Sequence, residues 1–164
     1  MFIWQYINID PTEVSRIQKS FMKAMPKNFN FFYPLTIDTD ELMGMKIKQS
    51  VLIQSAPFNI GKIHTDVRHD NNVLAIQIPL INCENSITEF WEADQLASAT
   101  PSDSNGIPYR YISKDQCKKI DQFQLINPLV FRTDIPHSVT NKSKSFRKAI
   151  SLRFYTDPWH LINI

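Results

Sequence analysis

The sequence predicts a mainly β fold of the α+β kind, with one amphipathic helix near its N-terminus. Several runs alternate apolar and polar residues with the period of two that strands require, most regularly at 146–155. One stretch, 11–25, repeats apolar residues at helical spacing. A length of 164 residues allows a sizeable core, so we expect one domain over residues 1–164.

The predicted helix has a clear start, stripe and end. Asp10 is a good N-cap residue, and Pro11 suits the first helical position. The apolar stripe consists of Val14, Ile17, Phe21 and Met25. Pro26 disfavours helical conformation in the residue before it, which ends the helix. The stripe predicts that the helix packs against a sheet.

Strands and loops alternate along the rest of the chain. The expected strands are 2–8, 45–55, 73–81, 86–92 and 109–112. Residues 29–38, rich in aromatic residues and proline, are expected to be irregular. Residues 94–106 are rich in serine, threonine and proline and predict a loop, which is a candidate lid over a site.

The last two strands are predicted to form an antiparallel hairpin. They cover 135–140 and 146–155, and the polar segment 141–145 is the expected turn. Alternation in the second strand places four residues on one face, namely Arg147, Ala149, Ser151 and Arg153.

His64, Asp66 and His137 form a candidate metal site. Residues i and i+2 of a strand point to the same face, so His64 and Asp66 should enter one cavity. His137 must come from a distant strand. Two imidazoles and one carboxylate can hold one face of an Fe(II) ion and leave the opposite face open. The alternative is a pair of structurally satisfied histidines.

Arg147 follows His137 by ten positions within an apolar strand. A guanidinium group can bind a carboxylate through two parallel hydrogen bonds. Arg147 is therefore a candidate for binding a 2-oxo acid, and its alternative is a surface arginine without a ligand.

This combination of His-x-Asp, a distal histidine and Arg147 resembles the 2-oxoglutarate/Fe(II)-dependent dioxygenase superfamily over residues 50–156. The resemblance implies a double-stranded β-helix, which is a cupin-like jelly-roll barrel. It implies that His64, Asp66 and His137 are the catalytic iron ligands, and that Arg147 binds the distal carboxylate of 2-oxoglutarate. The implied activity is that of a hydroxylase or demethylase, which converts 2-oxoglutarate and O2 to succinate and CO2 while oxidising a C–H bond.

The same resemblance suggests further ligands of 2-oxoglutarate. The spacing of Arg147 and Arg153 resembles the paired arginines of the nucleic-acid-demethylating branch, although Ala149 stands where that branch has asparagine. Arg153 and Ser151 are therefore candidate co-substrate ligands. Many family members have a tyrosine on the strand after His-x-Asp, but 73–81 contains none, so the second contact stays open.

Two other classes of function stay open. A cupin-type metal-binding protein or small-ligand isomerase would keep the histidines without needing 2-oxoglutarate or Arg147. A non-enzymatic jelly-roll binding module would need neither. Even for an oxygenase, the prime substrate is undetermined and includes small molecules, protein side chains and nucleobases.

Composition sets expectations about location and partners. A net charge of +2 gives no strong nucleic-acid signal. Two cysteines, Cys83 and Cys117, are too few for a disulfide framework, which favours a reducing cytoplasm. The N-terminal residues lack a basic segment and a long apolar run, so we expect neither a signal peptide nor a membrane span.

Overall fold

A computed structural model describes residues 1–27, 29, 31–36, 40–66, 72–93, 100–104 and 107–162. In chain order, its strands and α-helix are β1 (Trp4–Tyr6), α1 (Pro11–Ala24), β2 (Phe32–Pro34), β3 (Glu41–Leu42), β4 (Met45–Ser55), β5 (His64–Asp66), β6 (Leu74–Ile81), β7 (Ser86–Ala93), β8 (Thr100–Ser104), β9 (Ile107–Tyr111), β10 (Cys117–Phe123), β11 (Leu129–Arg132), β12 (His137–Asn141) and β13 (Arg147–Phe154). Short 3-10 turns lie at Lys114–Gln116 and Trp159–Leu161.

The described strands form two antiparallel sheets that pack face to face. The major sheet has the order β1-β11-β6-β13-β4-β2, with β3 paired to β4. The minor sheet has the order β10-β7-β12-β5-β9-β8. Side chains from both sheets, including Phe90 and Phe131, meet in a buried cluster between them. This arrangement confirms the predicted mainly β, cupin-like jelly-roll fold.

Helix α1 covers the outer face of the major sheet. The Thr12 N–H donates to the Asp10 carboxylate over 2.7 Å, so the predicted cap is formed. Ile17 and Phe21 are fully buried, as the stripe predicts. Their cluster includes Leu52, Ile76, Ile78, Ile150 and Leu152. Burial of one such side chain contributes about 1.5–3 kcal/mol, which fixes the helix on the sheet.

Strand β13 is buried on both faces. Ile150, Leu152 and Phe154 pack in the cluster beneath α1. Ala149 packs in the cluster between the two sheets. The predicted alternation is therefore confirmed, and the face that carries Arg147 is directed into the space between the sheets.

The predicted hairpin between the last two strands is wrong. Strand β12 pairs with β7 and β5 in the minor sheet, whereas β13 pairs with β4 and β6 in the major sheet. The connection 142–146 therefore crosses from one sheet to the other. Asn141 fixes this crossing, because its amide donates to the carbonyls of Ala56 and Ser145, each over 2.9 Å. Its side-chain oxygen accepts from the Ser143 N–H.

Two expected irregular segments contain short strands. Within 29–38, β2 pairs with β4 at the edge of the major sheet, where Pro34 is tolerated at the strand end. Within 94–106, β8 pairs with β9, so the segment is not an unbroken loop. The rest of the candidate lid, 94–99 and 105–106, lies outside the described residues. The described part of the chain has no helix long and apolar enough to cross a membrane.

Candidate metal and anion site

His64, Asp66 and His137 lie together between the sheets. His64 and Asp66 occupy the two ends of β5, and His137 opens β12 directly opposite His64. One ligand atom from each of the three residues lies within 4.8 Å of the others. The two imidazole centroids are 4.5 Å apart. The structure thus brings together the three residues that the sequence singled out, and they form a group able to hold a metal ion.

Both imidazoles are oriented through their Nδ1 atoms. Nδ1 of His64 lies 2.9 Å from the carbonyl of Lys62, and Nδ1 of His137 lies 2.8 Å from that of Ile135. A carbonyl only accepts hydrogen bonds, so Nδ1 must carry the proton in each ring. The Nε2 lone pairs are then available to a metal, as in sites where an outer hydrogen bond fixes the tautomer of the ligand.

Asp66 is held by Arg153. The Arg153 guanidinium donates to one Asp66 carboxylate oxygen, while the other oxygen lies 3.8 Å from Nε2 of His64. Arg153 also donates to Thr133 Oγ1 over 2.7 Å and to the Leu74 carbonyl over 3.4 Å. The sequence suggested Arg153 as a co-substrate ligand, but the structure places it at the candidate metal-binding carboxylate.

The environment keeps His137 in the neutral form that binds metals. Burial, followed by the neighbouring His64 imidazole, lowers the pKa of His137 to about 4. The Asp66 carboxylate opposes this change without reversing it. At neutral pH no proton therefore competes with a metal for Nε2 of His137.

Arg147 is fully buried and only partly satisfied. Its Nε–H donates to Ser86 Oγ over 3.0 Å, and the Ser86 hydroxyl donates to the Cys83 carbonyl over 2.7 Å. Among the described residues, neither Nη1 nor Nη2 of Arg147 has a hydrogen-bond partner. Burial lowers the pKa of this guanidinium. A buried charge without a partner is costly, so the position is suited to an anion that supplies the missing acceptors.

The open guanidinium and the metal-ligand group share the space between the sheets. On β7 and β12, Ser86 pairs with Asn141 and Phe90 pairs with His137. Ser86, which contacts Arg147, thus lies four residues along β7 from Phe90, the residue opposite His137. This separation is about 13 Å along the strand. Ser151, another sequence candidate, is buried on the same face of β13 as Arg147 and pairs with Gln77.

Three further residues belong to this site and were not among those predicted from the sequence. Ser86 orients Arg147, and buried Gln77 has a side-chain oxygen with no described partner. The Tyr109 ring stands perpendicular to the His64 imidazole at 5.0 Å, and burial, followed by the charge of Asp66, raises the pKa of Tyr109. The sequence contains one signal for Ser86. It is a polar residue on the inward face of β7, next to apolar Ile87 on the other face.

A cavity of about 440 Å³ opens beside the metal-ligand group. His64 lines it, together with residues of β2, β4 and β9. It offers a route by which a small molecule can reach the space in front of His64.

Comparison with known proteins gives structural likeness but no family. No family model matches the sequence, and no curated protein matches it. AviO1 from Streptomyces viridochromogenes Tue57 is 11% identical with a TM-score of 0.48, covering 96% of this chain and 90% of that one. The non-heme alpha-ketoglutarate-dependent carbocyclase SnoK from nogalamycin biosynthesis is 11% identical with a TM-score of 0.48, covering 92% and 78%.

HygX from Streptomyces hygroscopicus, solved with nickel and 2-oxoglutarate bound, is 9% identical with a TM-score of 0.47. The match covers 92% of this chain and 81% of HygX. At such low values, these likenesses assign no reaction to this chain. From its own structure, the chain has a cupin-like β fold with a His–Asp–His group that could bind a metal ion.

Proposed function

We propose that this chain is a non-heme Fe(II)- and 2-oxoglutarate-dependent oxygenase. The observation that carries the proposal is the buried Arg147 guanidinium, whose two terminal nitrogens have no partner among the described residues. It faces the same space as the group formed by His64, Asp66 and His137. A metal-binding protein without an anionic co-substrate would gain nothing from this uncompensated buried charge.

The donor set suits Fe(II). Two imidazole nitrogens and one carboxylate form the facial triad of non-heme iron oxygenases, with positions left open. When bound, the metal and 2-oxoglutarate supply the oxidation: one atom of O2 enters succinate, the other enters the C–H substrate, and CO2 leaves. The residues of the chain contribute ligands, orientation and a site shielded from water.

Arg147 binds the distal carboxylate of 2-oxoglutarate in this proposal. Its planar fork matches two carboxylate oxygens, and the hydrogen bond from Nε to Ser86 holds the fork in one orientation. Nη1 and Nη2 are left to bind the carboxylate, because Nε already donates to Ser86.

Arg153 acts on the metal site through Asp66. By binding one carboxylate oxygen, it fixes the side chain and leaves the other oxygen directed at His64. Ser151 and Gln77, which are paired across β13 and β6, are proposed to line the path of 2-oxoglutarate between its two ends.

Anaerobic titration with Fe(II) and 2-oxoglutarate tests the proposal without knowledge of the prime substrate. We expect the weak visible charge-transfer band of the chelate in the wild-type protein and no band in His137→Ala. Arg147→Lys should weaken 2-oxoglutarate binding by about a hundredfold, because an ammonium group cannot supply the forked contact. Arg110→Lys, at an exposed arginine on β9, is the matched control and should bind normally.

The other outcomes assign the chain to another class. Metal binding without a band that depends on 2-oxoglutarate would contradict the proposal and favour a cupin-type metalloprotein. Absence of metal binding would favour a non-enzymatic binding module. Unchanged 2-oxoglutarate affinity in Arg147→Lys would show that Arg147 does not bind 2-oxoglutarate.

A further inference from the structure

The cavity beside His64 points to a class of prime substrate. Resting on the oxygenase function proposed above, we infer that the substrate is a planar, largely apolar small molecule with one anionic group. It binds in the cavity between β2, β4 and β9, with its reacting carbon in front of His64.

The size of the cavity restricts the substrate. Its volume is about 440 Å³, within the range of sites that bind small molecules. His64 is the candidate metal ligand that lines it, so a molecule bound there lies next to the metal position. A bound molecule is therefore positioned for oxidation.

Flat aromatic surfaces form one side of the cavity. Phe32 on β2 stacks on Tyr109 of β9, with ring centroids 5.3 Å apart and an interplanar angle of 25°. Tyr111 lies 6.3 Å from Tyr109 and is tilted by 34°. All three rings line the cavity. Such a surface favours offset stacking with a planar ring system.

The charges around the cavity disfavour cationic substrates. None of the described residues that line it carries a carboxylate, so an ammonium group would have no counterion. Lys62 lines the cavity, and its ammonium lies 5.3 Å from the centre of the Tyr111 ring. A carboxylate, sulfonate or phenolate on the substrate can pair with Lys62.

The rim of the cavity exposes large apolar side chains. Phe31 is 54% exposed and Ile60 is 77% exposed, and both line the cavity. Exposed apolar side chains at the mouth of a cavity are typical of binding sites, and these two can cover a bound apolar molecule.

Two related fluorescent probes test the inference on the full chain loaded with Ni(II) and 2-oxoglutarate. 8-Anilino-1-naphthalenesulfonate is an aromatic anion, and N-phenyl-1-naphthylamine is its neutral counterpart. We expect both to bind saturably with one molecule per chain, and the anion to bind more tightly. Lys62→Met should weaken binding of the anion about tenfold and leave the neutral probe unchanged.

Two isoleucines provide a matched pair for the apolar rim. Ile60→Ser should weaken both probes about fivefold to tenfold. Ile126→Ser should not, because Ile126 is 52% exposed but lies between β10 and β11, outside the described lining of the cavity.

The outcomes separate this inference from the proposed function. If the charge-transfer titration shows 2-oxoglutarate binding but the probes bind weakly or without saturation, the substrate inference is overturned alone. Equal effects of Ile60→Ser and Ile126→Ser would also overturn it. If 2-oxoglutarate does not bind but the probes bind saturably, the oxygenase proposal fails and the cavity is an aromatic-ligand site of another protein class.

Discussion

Two arginines on the same face of β13 have opposite environments. Arg147 and Arg153 are both buried and both directed between the sheets. Arg153 donates to Asp66, Thr133 and the carbonyl of Leu74. Arg147 donates through Nε to Ser86, while its Nη1 and Nη2 have no partner among the described residues. At one end of β13, the fold supplies hydrogen-bond acceptors for the Arg153 guanidinium. At the other end, the described residues supply none for Nη1 and Nη2 of Arg147.

This difference indicates that the charge of Arg153 has a structural role, whereas the charge of Arg147 is placed to bind a ligand. Removing one partner of a buried ion pair is strongly destabilising, since the remaining charge is uncompensated. Removing a buried charge that already lacks a partner should stabilise the free protein instead. Mutation of each arginine should therefore give effects of opposite sign on the free energy of unfolding.

Arg153→Met should have the largest effect on stability. We expect the free energy of unfolding to fall by about 3–5 kcal/mol, because the Asp66 carboxylate, only 10% exposed, is then left without its partner. Urea denaturation followed by circular dichroism measures this change.

Arg132→Met is the matched control for Arg153→Met. The Arg132–Asp134 ion pair is partly exposed, so its loss should cost at most about 1 kcal/mol. If both variants lose the same free energy of unfolding, the Arg153–Asp66 pair is no stronger than a surface pair.

Arg147→Met should leave the free protein at least as stable as wild type. The substitution replaces an uncompensated guanidinium by an apolar side chain of similar length, and we expect a gain of up to about 1 kcal/mol. The same variant should lose about a hundredfold in 2-oxoglutarate affinity. Calorimetric titration and urea denaturation measure the two effects. A stability loss like that of Arg153→Met would mean that Arg147 is also a structural charge.

The sequence was sufficient to predict features set by local periodicity. The cap at Asp10, the helix stripe and strand β4 follow from period and capping rules alone, and the structure contains all three. Alternation likewise predicted that Arg147 and Arg153 share a face. The His64–Asp66 spacing predicted that both side chains enter one space, where the structure places them with His137.

Features set by distant partners were not predictable. A polar connection such as 141–145 suits a tight turn or a crossing between sheets, and the bonds from Asn141 to Ala56 decide which one forms. The roles of Arg153 and Ser86 depend on pairings across the two sheets that one sequence does not reveal. Strand β2 was missed because its pairing with β4, rather than its own short sequence, makes it a strand.

Acid should destabilise the metal-free protein through the protonation of His137. The pKa of His137 is lowered to about 4 in the folded protein, compared with about 6.5 when unfolded, so below pH 6.5 the unfolded chain binds more protons. Stability of the metal-free protein should be full above that pH and be lost as the pH falls towards 4. The expected loss between pH 6.5 and 5 is about 2 kcal/mol.

Two variants assign this pH dependence to His137. Denaturation midpoints measured across the pH range should show a smaller loss in His137→Gln. His160→Gln, at an exposed histidine, should retain the wild-type loss. A loss that is unchanged in His137→Gln would assign it to other groups.

Ser86→Ala should give the smallest effect and the sharpest test of how Arg147 is held. Removing the acceptor for Nε frees the guanidinium to rotate, so 2-oxoglutarate affinity should fall about fivefold to tenfold while Fe(II) affinity is unchanged. Ser138→Ala is the matched control, because buried Ser138 accepts a hydrogen bond from Trp91 over 3.0 Å. Both variants should lose about 1 kcal/mol of stability. If Ser138→Ala weakens 2-oxoglutarate binding equally, the effect of Ser86 is general destabilisation; if it does not, Ser86 positions the open end of Arg147.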